Sequence, residues 1–160
     1  MAGRSSTDDI DLAPSDAPAR AEYERDVYSW SVEQARLVRE GRWDLVDREN
    51  VAEEIESVGR TEFSKLESAL RVLLMRMLKW DHQPERRSRS WTMTIDTQRL
   101  EIEDVLGDNP GLRPRIGEAV GRAYRKARNE AATETGLERT AFPEQCPYSW
   151  ADITARPFAI

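Results

Sequence analysis

Residues 66–80 form the most apolar stretch of this chain, and they restrict its fold more than any other segment. Apolar side chains occupy most positions and point to every side of a helix: Leu66, Ala69, Leu70, Val72, Leu73, Leu74, Met75, Met77 and Leu78. A helix that is apolar all round is normally buried at the centre of a helical protein. The segment therefore predicts the core helix of a bundle, from which Arg71 and Arg76 project as long polar side chains.

Helical periodicity also runs through the chain on both sides of this segment. Apolar residues at helical spacing predict a first helix that ends near Gly41, a second segment that continues into the apolar helix, a fourth helix that ends before Gly107 and a fifth that ends at Gly136. The four stripes consist of Tyr23, Val27, Trp30, Leu37 and Val38; Val51, Ala52, Ile55, Val58, Glu62 and Leu66; Trp91, Ile95, Ile102, Val105 and Leu106; and Ile116, Ala119, Val120, Ala123, Tyr124, Ala127 and Ala131. Gly59 indicates either a bend or a break between two helices, and Thr61 is a candidate N-cap if the helix breaks.

The two ends of the chain lack this periodicity. Residues 1–19 are rich in Ser, Asp, Ala and Pro, which predicts a flexible tail. Residues 137–160 contain three prolines and predict an irregular strap with a short helix near residues 149–154, held to the bundle by aromatic side chains. No segment shows the alternation of a strand. The sequence therefore predicts an all-α protein in which residues 20–160 form a single domain, a bundle of about five helices with a C-terminal strap.

Length, charge and cysteine content narrow the class of protein. The chain has 160 residues, enough for one domain with an ordinary core. Its net charge of −6 argues against general binding to polyanions. Cys146 is the only cysteine, so neither an intramolecular disulfide nor a cysteine-based zinc site can form. Because no signal peptide or membrane span is recognisable, we expect a soluble cytoplasmic protein with no membrane partner, and no motif indicates a cofactor.

Six landmarks in the sequence carry a resemblance to a known family. They are YSWSVEQAR at residues 28–36, NVAEEIESVG at 50–59, KWDHQPERRSRSW at 79–91, TIDTQR at 94–99, ETGL at 134–137 and FPEQCPY at 142–148. On these landmarks the chain resembles the bacterial family called domain of unknown function 29, over about residues 23–158. The resemblance implies a helical bundle and implies no activity, cofactor or catalytic residue. Relatives often carry His at the position of Arg76, so any chemistry of that His is absent here.

Charged residues are unevenly distributed and suggest two kinds of site. Between Gly41 and Glu67, eight acidic residues outnumber four basic ones. Three of the acids lie on one helical face, namely Glu49, Glu53 and Glu56. Together they could hold a hard cation such as Mg²⁺, although a solvent-exposed helix face is the commoner explanation of this pattern. Between Arg113 and Arg128, six basic residues accompany one acid, and a second basic cluster spans residues 86–89. These arginines either bind nucleic acid or pair with the acidic segment within the bundle or across a dimer interface.

A smaller set of residues forms the candidate site. His82 is the only histidine and lies just before Pro84, where a loop position is the simplest explanation. Gln34 and Gln98 fall within apolar stripes, where buried amides need partners, so we expect a polar network that includes an Arg and a Glu such as Glu54. The candidate ligand or interaction residues are Glu53, Glu54, Lys79, Trp80, His82, Arg86, Arg87, Trp91 and Gln98. No catalytic residue and no metal ligand are assigned.

Three functions of different classes follow from these patterns. The first is a non-catalytic protein-interaction or regulatory module that self-associates or binds a protein partner, because no catalytic constellation is recognisable. The second is an accessory nucleic-acid-binding protein that uses the Arg-rich faces. The third is an enzyme, and it requires a Glu/His/Arg pocket near residues 79–98.

Overall fold

The computed structural model describes residues 22–159. The predicted flexible tail, residues 1–19, lies outside the described residues. Within the described part, residues 22–57 and residues 58–159 form two compact units. The prediction of one domain over residues 20–160 stays a prediction, and the two units are described separately below.

The described residues fold into helices and contain no strand, which confirms the all-α prediction. The α-helices are α1 (Val27–Arg39), α2 (Arg48–His82), α3 (Arg89–Asp108), α4 (Ile116–Thr135) and the short α5 (Trp150–Ala155). Three 3₁₀ helices connect them, at Pro84–Arg86, Pro110–Arg115 and Arg139–Ala141. The prediction of about five helices and a strap is therefore confirmed.

The start of the first helix differs from the prediction. Tyr23 belongs to a separate helical turn at residues 22–25, and α1 begins only at Val27. Asp26 separates the two because its backbone leaves the helical region (φ −154°) and its carboxylate accepts a hydrogen bond from the backbone N–H of Ser29. This is the geometry of an N-cap residue. The predicted stop at Gly41 is confirmed, since α1 ends at Arg39 and Gly41 has a φ of 70°.

Helix α2 runs without interruption from Arg48 to His82, and Gly59 and Thr61 both lie inside it. Gly59 therefore does not separate two helices, and the prediction of Thr61 as an N-cap is wrong. A glycine inside a helix costs only about 1 kcal/mol relative to alanine, which good helix formers on both sides outweigh. The predicted apolar stripe before Leu66 is also wrong as a buried face, because the side chains of Ile55 and Val58 are 68% and 66% exposed.

The core of residues 58–159 is built around the second half of α2, as predicted. Leu66, Leu70, Leu73, Leu74, Met77 and Leu78 are completely buried in it. Ile95, Ile102, Val105 and Leu106 of α3 and the alanines of α4 (Ala119, Ala123, Ala127 and Ala131) pack on the same cluster. Small alanine side chains let the backbones of neighbouring helices approach closely. Helix α4 ends at Gly136, whose φ of 72° suits a glycine in the position after a helix.

The C-terminal strap is fastened to this bundle by hydrogen bonds to its backbone carbonyl groups. Phe142 is buried in the core, and Arg128 of α4 donates two hydrogen bonds to its carbonyl oxygen (3.1 and 2.8 Å). The hydroxyl of Tyr124 donates to the carbonyl of Pro143 (2.6 Å). Arg99 of α3 donates to three carbonyl groups at the end of the strap. An irregular segment can stay packed in this way because side chains satisfy its backbone acceptors.

Candidate interaction surfaces

Residues 22–57 form an antiparallel helical hairpin, with α1 lying against the first turns of α2. Trp30, Gln34 and Leu37 are its buried side chains on α1. The indole N–H of Trp30 donates to the carboxylate of Asp47 (3.2 Å), and the side-chain oxygen of Gln34 accepts from the backbone N–H of Asp47 (2.8 Å). The predicted role of Gln34 as a buried amide with a partner is thus confirmed, although its partner is Asp47 and not an Arg or Glu54.

Glu54 holds the open end of the hairpin. Its carboxylate accepts a hydrogen bond from the hydroxyl of Tyr23 (2.6 Å), and the ring of Tyr23 meets that of Trp30 edge-on at 4.8 Å. The hydrogen bond to Glu54 raises the pKa of Tyr23. Glu54 therefore contributes to the structure of the hairpin. Glu53, its neighbour, is exposed on α2.

The hairpin exposes more large apolar side chains than the two, Trp30 and Leu37, that it buries. Its exposed large apolar side chains, called the apolar hairpin residues below, are Val27, Tyr28, Val32 and Val38 on α1, Trp43 and Leu45 in the connection, and Ile55 on α2. In residues 58–159 only Val58, Met93, Leu100 and Leu137 are comparably exposed. Concentrated exposed apolar surface is typical of sites that bind another macromolecule. The sequence indicated this surface weakly, because α1 has more apolar positions than a single face can bury.

The hairpin is also strongly acidic. Residues 22–57 contain eleven acidic and five basic side chains, a net charge of −6. The remaining residues of the chain contain nineteen of each sign, so the whole net charge of the protein resides in this segment. Glu49, Glu53 and Glu56, which the sequence suggested as a cation site, belong to it. The described residues contain no cluster of three or more acidic, histidine or cysteine side chains that could hold a metal ion.

Lys79 and Trp91, two of the candidate residues, come together in the bundle. Lys79 is only 7% exposed, its ammonium group pairs with Glu134 of α4, and it lies 4.8 Å from the centre of the Trp91 ring. Arg76 approaches the same carboxylate at 3.8 Å. The Nε–H of Arg76 is buried and has no hydrogen-bond partner among the described residues. A buried ammonium group paired in this way fixes the relative position of two helices.

Trp80 and Arg87 form a second group. The guanidinium of Arg87 lies 4.9 Å from the centre of the Trp80 ring and donates to the backbone carbonyl of Trp80 (3.0 Å). The ring of Phe158, in the strap, meets the ring of Trp80 edge-on, with ring centres 5.3 Å apart. Arg87 thus closes the turn after α2, and Trp80 is an internal anchor for the strap.

His82, Arg86 and Gln98 lie in three different environments. The Nδ1 of His82 is 2.8 Å from the carbonyl oxygen of Leu78, so Nδ1–H is the donor, and the ring packs on Phe142. Arg86 is exposed and has no ion pair in the described residues. Gln98 lines an open cavity of about 480 Å³ on α2 and α3. These three residues therefore contribute to separate parts of the surface.

The basic face of α4 is largely used inside the bundle. Three groups of ion pairs join α2 to α4: Glu67 with Arg122 and Lys126, Arg71 with Glu130, and Lys79 with Glu134. Because the residue numbers rise along both helices from one group to the next, the two helices run in the same direction. The sign of the paired residues changes once along each helix, from acidic to basic along α2 and from basic to acidic along α4. This arrangement corresponds to the internal pairing that the sequence left open, and Glu67 is the member of the acidic segment that takes part in it. The other two acids, Glu130 and Glu134, belong to α4 itself.

Six arginines of residues 58–159 are exposed and lack an ion pair there: Arg86, Arg87, Arg89, Arg113, Arg125 and Arg139. Arg113 lines a cavity of about 290 Å³ whose walls include Ile102, Leu106 and Trp150.

Cys146 is partly buried, and burial raises the pKa of its thiol. A raised pKa makes a thiol a poorer nucleophile at neutral pH.

The comparison with protein families covers the whole described part of the chain. The model of the family described as domain of unknown function DUF29 matches residues 22–159. The chain belongs to this family. A search of curated proteins found no match, and a search of solved structures found none either. Because the match includes residues 22–57, the acidic hairpin is part of the DUF29 domain and not an appended segment. No helix in residues 22–159 is long and apolar enough to cross a membrane.

Proposed function

We propose that this DUF29 protein is a non-catalytic interaction module that binds a protein partner through its helical hairpin. The observation that carries the proposal is the concentration of exposed apolar side chains in residues 22–57, where Tyr28 is 78% exposed. Fully burying one large apolar side chain contributes roughly 1.5 to 3 kcal/mol. Covering these side chains is therefore a favourable contribution to the binding of a partner.

The test is a tagged capture from native lysate that compares the wild type with two matched variants. Tyr28→Ser/Val32→Ser/Ile55→Ser removes apolar hairpin residues, and Met93→Ser/Leu100→Ser removes equally exposed side chains of α3. We expect one identified protein to be retained by the wild type and the α3 variant, with and without nuclease, and lost with the hairpin variant. Equal retention by all three proteins contradicts the proposal.

Nucleic acid is the second candidate partner, and the six exposed arginines without ion pairs in residues 58–159 support it. For this function the affinity for duplex DNA falls steeply with salt, with a logarithmic slope of about −0.9 per phosphate neutralised. Arg86→Gln/Arg89→Gln is then expected to reduce the slope by about 2. Fluorescence anisotropy with a labelled duplex measures both effects, and binding that does not depend on salt contradicts this candidate.

A further inference from the structure

We infer that the partner of the hairpin is a basic amphipathic helix of another protein, which packs its apolar side on the apolar hairpin residues and places Lys and Arg side chains beside the hairpin carboxylates. The inference rests on the proposed function and adds the chemistry of the partner. Charge, the arrangement of apolar residues on α1 and the composition of the rest of the chain each contribute to it.

The charge of the hairpin determines which helices can approach it. Nine of its eleven carboxylates belong to exposed residues, and only Asp47 and Glu54 are buried or partly buried. An apolar partner surface with an acidic rim would face like charges and bind poorly, whereas a basic rim would face charges of the opposite sign. Complementary charge raises the rate of association and excludes partners of the wrong sign.

The pattern on α1 fits a helix as the bound element. Tyr28, Val32 and Ala35 follow one another at spacings of four and three residues, so they form one row along α1. This row is distinct from the row of Trp30, Gln34 and Leu37, which faces the inside of the hairpin. Rows of this kind pack into the grooves of a neighbouring helix, and amphipathic helices commonly bind proteins in this way.

A second copy of the hairpin does not fit this chemistry. Two hairpins placed face to face would bring together two segments that each have a net charge of −6. Residues 1–21 do not supply the basic side chains either, because they contain four acidic and two basic residues. The occupant is therefore a basic segment of a different protein.

The experiment measures binding of the full chain to two designed peptides. Both have about 18 residues and the same leucine pattern, long enough for a helix to form on binding. One carries lysine and the other glutamate at all polar positions. Isothermal titration calorimetry gives Kd for the wild type, for Tyr28→Ser/Val32→Ser and for the control Met93→Ser/Leu100→Ser. Nuclear magnetic resonance of the tryptophan indole N–H groups shows whether the exposed Trp43 is affected.

We expect the lysine peptide to bind the wild type and the control equally, and to bind the hairpin variant at least roughly tenfold more weakly, as the loss of apolar burial implies. Its affinity falls with added salt, the glutamate peptide does not bind, and the Trp43 signal shifts. Equal binding of both peptides through the hairpin overturns the basic partner but leaves the proposed function in place. A dimer that Tyr28→Ser/Val32→Ser converts to monomer also overturns it, in favour of self-association. Binding of the lysine peptide that is unchanged in the hairpin variant overturns the inference as well, whereas the proposed function is decided separately by the capture experiment.

Discussion

Asp81, in the last turn of α2, accepts two hydrogen bonds from the guanidinium group of Arg156 at the end of α5, at 3.0 and 2.6 Å. The hydroxyl of Tyr148 donates a third to the same carboxylate (2.8 Å). One side chain of the core helix thus holds the strap at two points. Burial of the Tyr148 hydroxyl, together with its bond to Asp81, raises the pKa of Tyr148, so the hydroxyl stays protonated as a donor at neutral pH.

We expect Asp81→Asn to destabilise the bundle by about 1 to 2 kcal/mol. The carboxylate of Asp81 accepts hydrogen bonds from two side chains, Arg156 and Tyr148, and the substitution replaces this charged acceptor with a neutral amide at a partly exposed site. Urea unfolding at pH 7 measures the difference, and limited proteolysis of residues 137–159 reports on the strap. Asp96→Asn, on the exposed side of α3, is the control and should change stability by less than about 0.5 kcal/mol. Equal proteolysis of the Asp81 and Asp96 variants contradicts the prediction.

The same pair predicts a dependence of stability on pH. Burial raises the pKa of Asp81, but the hydrogen bonds from Arg156 and Tyr148 and the charge of Arg156 outweigh it, so the pKa lies below its ordinary value of 3.8. A group whose pKa is lowered in the folded state stabilises that state above the unfolded pKa, and the stabilisation disappears as pH falls through the folded pKa. The difference in unfolding free energy between the wild type and Asp81→Asn should therefore be constant from pH 5 to 7 and shrink below about pH 4. A difference that grows on acidification contradicts this assignment.

Glu67 is the buried member of the ion pairs between α2 and α4, with a side chain that is 8% exposed. We expect Glu67→Gln to cost about 1 to 3 kcal/mol, because the amide cannot satisfy both Arg122 and Lys126. A double-mutant cycle with Lys126→Met should give a coupling energy of at least about 0.5 kcal/mol in chemical denaturation. Arg125→Met, one residue away and without an ion pair, is the control for lost charge. A coupling energy of zero means that the pair does not stabilise the helix packing.

Two glycines of the chain predict opposite effects of the same substitution. Gly136→Ala places a side chain at a φ of 72° and should destabilise the protein by about 1 kcal/mol. Gly59→Ala, inside α2 with no atom within 4 Å of the added carbon, should stabilise it by about 0.5 to 1 kcal/mol. Thermal unfolding followed by circular dichroism distinguishes the two. Destabilisation by Gly59→Ala would indicate that the helix is interrupted at this position.

The hairpin is expected to open more readily than the bundle. Helix α1 has only three buried side chains, whereas most side chains of residues 66–80 are buried. Local opening free energies follow the amount of buried apolar contact. Hydrogen exchange should therefore be faster for residues 30–38 than for residues 70–78 by at least roughly tenfold. Equal exchange rates in the two segments contradict this expectation.

Local patterns in the sequence determined most of the helices and the centre of the bundle. Residues 66–80 were expected to be largely buried, because a helix that is apolar on nearly all sides leaves little face for water. Gly41 and Gly136 ended helices as predicted, since a glycine just after a helix takes a left-handed conformation at little cost. Helical periodicity depends on neighbours a few residues apart, so it can be read along the chain.

Tertiary structure alone decided which apolar stripes are buried and which charges are paired. Ile55 and Val58 continue the periodicity of α2, yet they stay exposed, because periodicity shows only that a face is apolar and not that another element covers it. Likewise, the basic residues of α4 suggested either nucleic acid or an internal partner, and only the parallel packing of α2 on α4 brought Glu67 to Arg122 and Lys126. Ion pairs between residues more than fifty positions apart depend on how helices pack, and a local sequence pattern does not specify that.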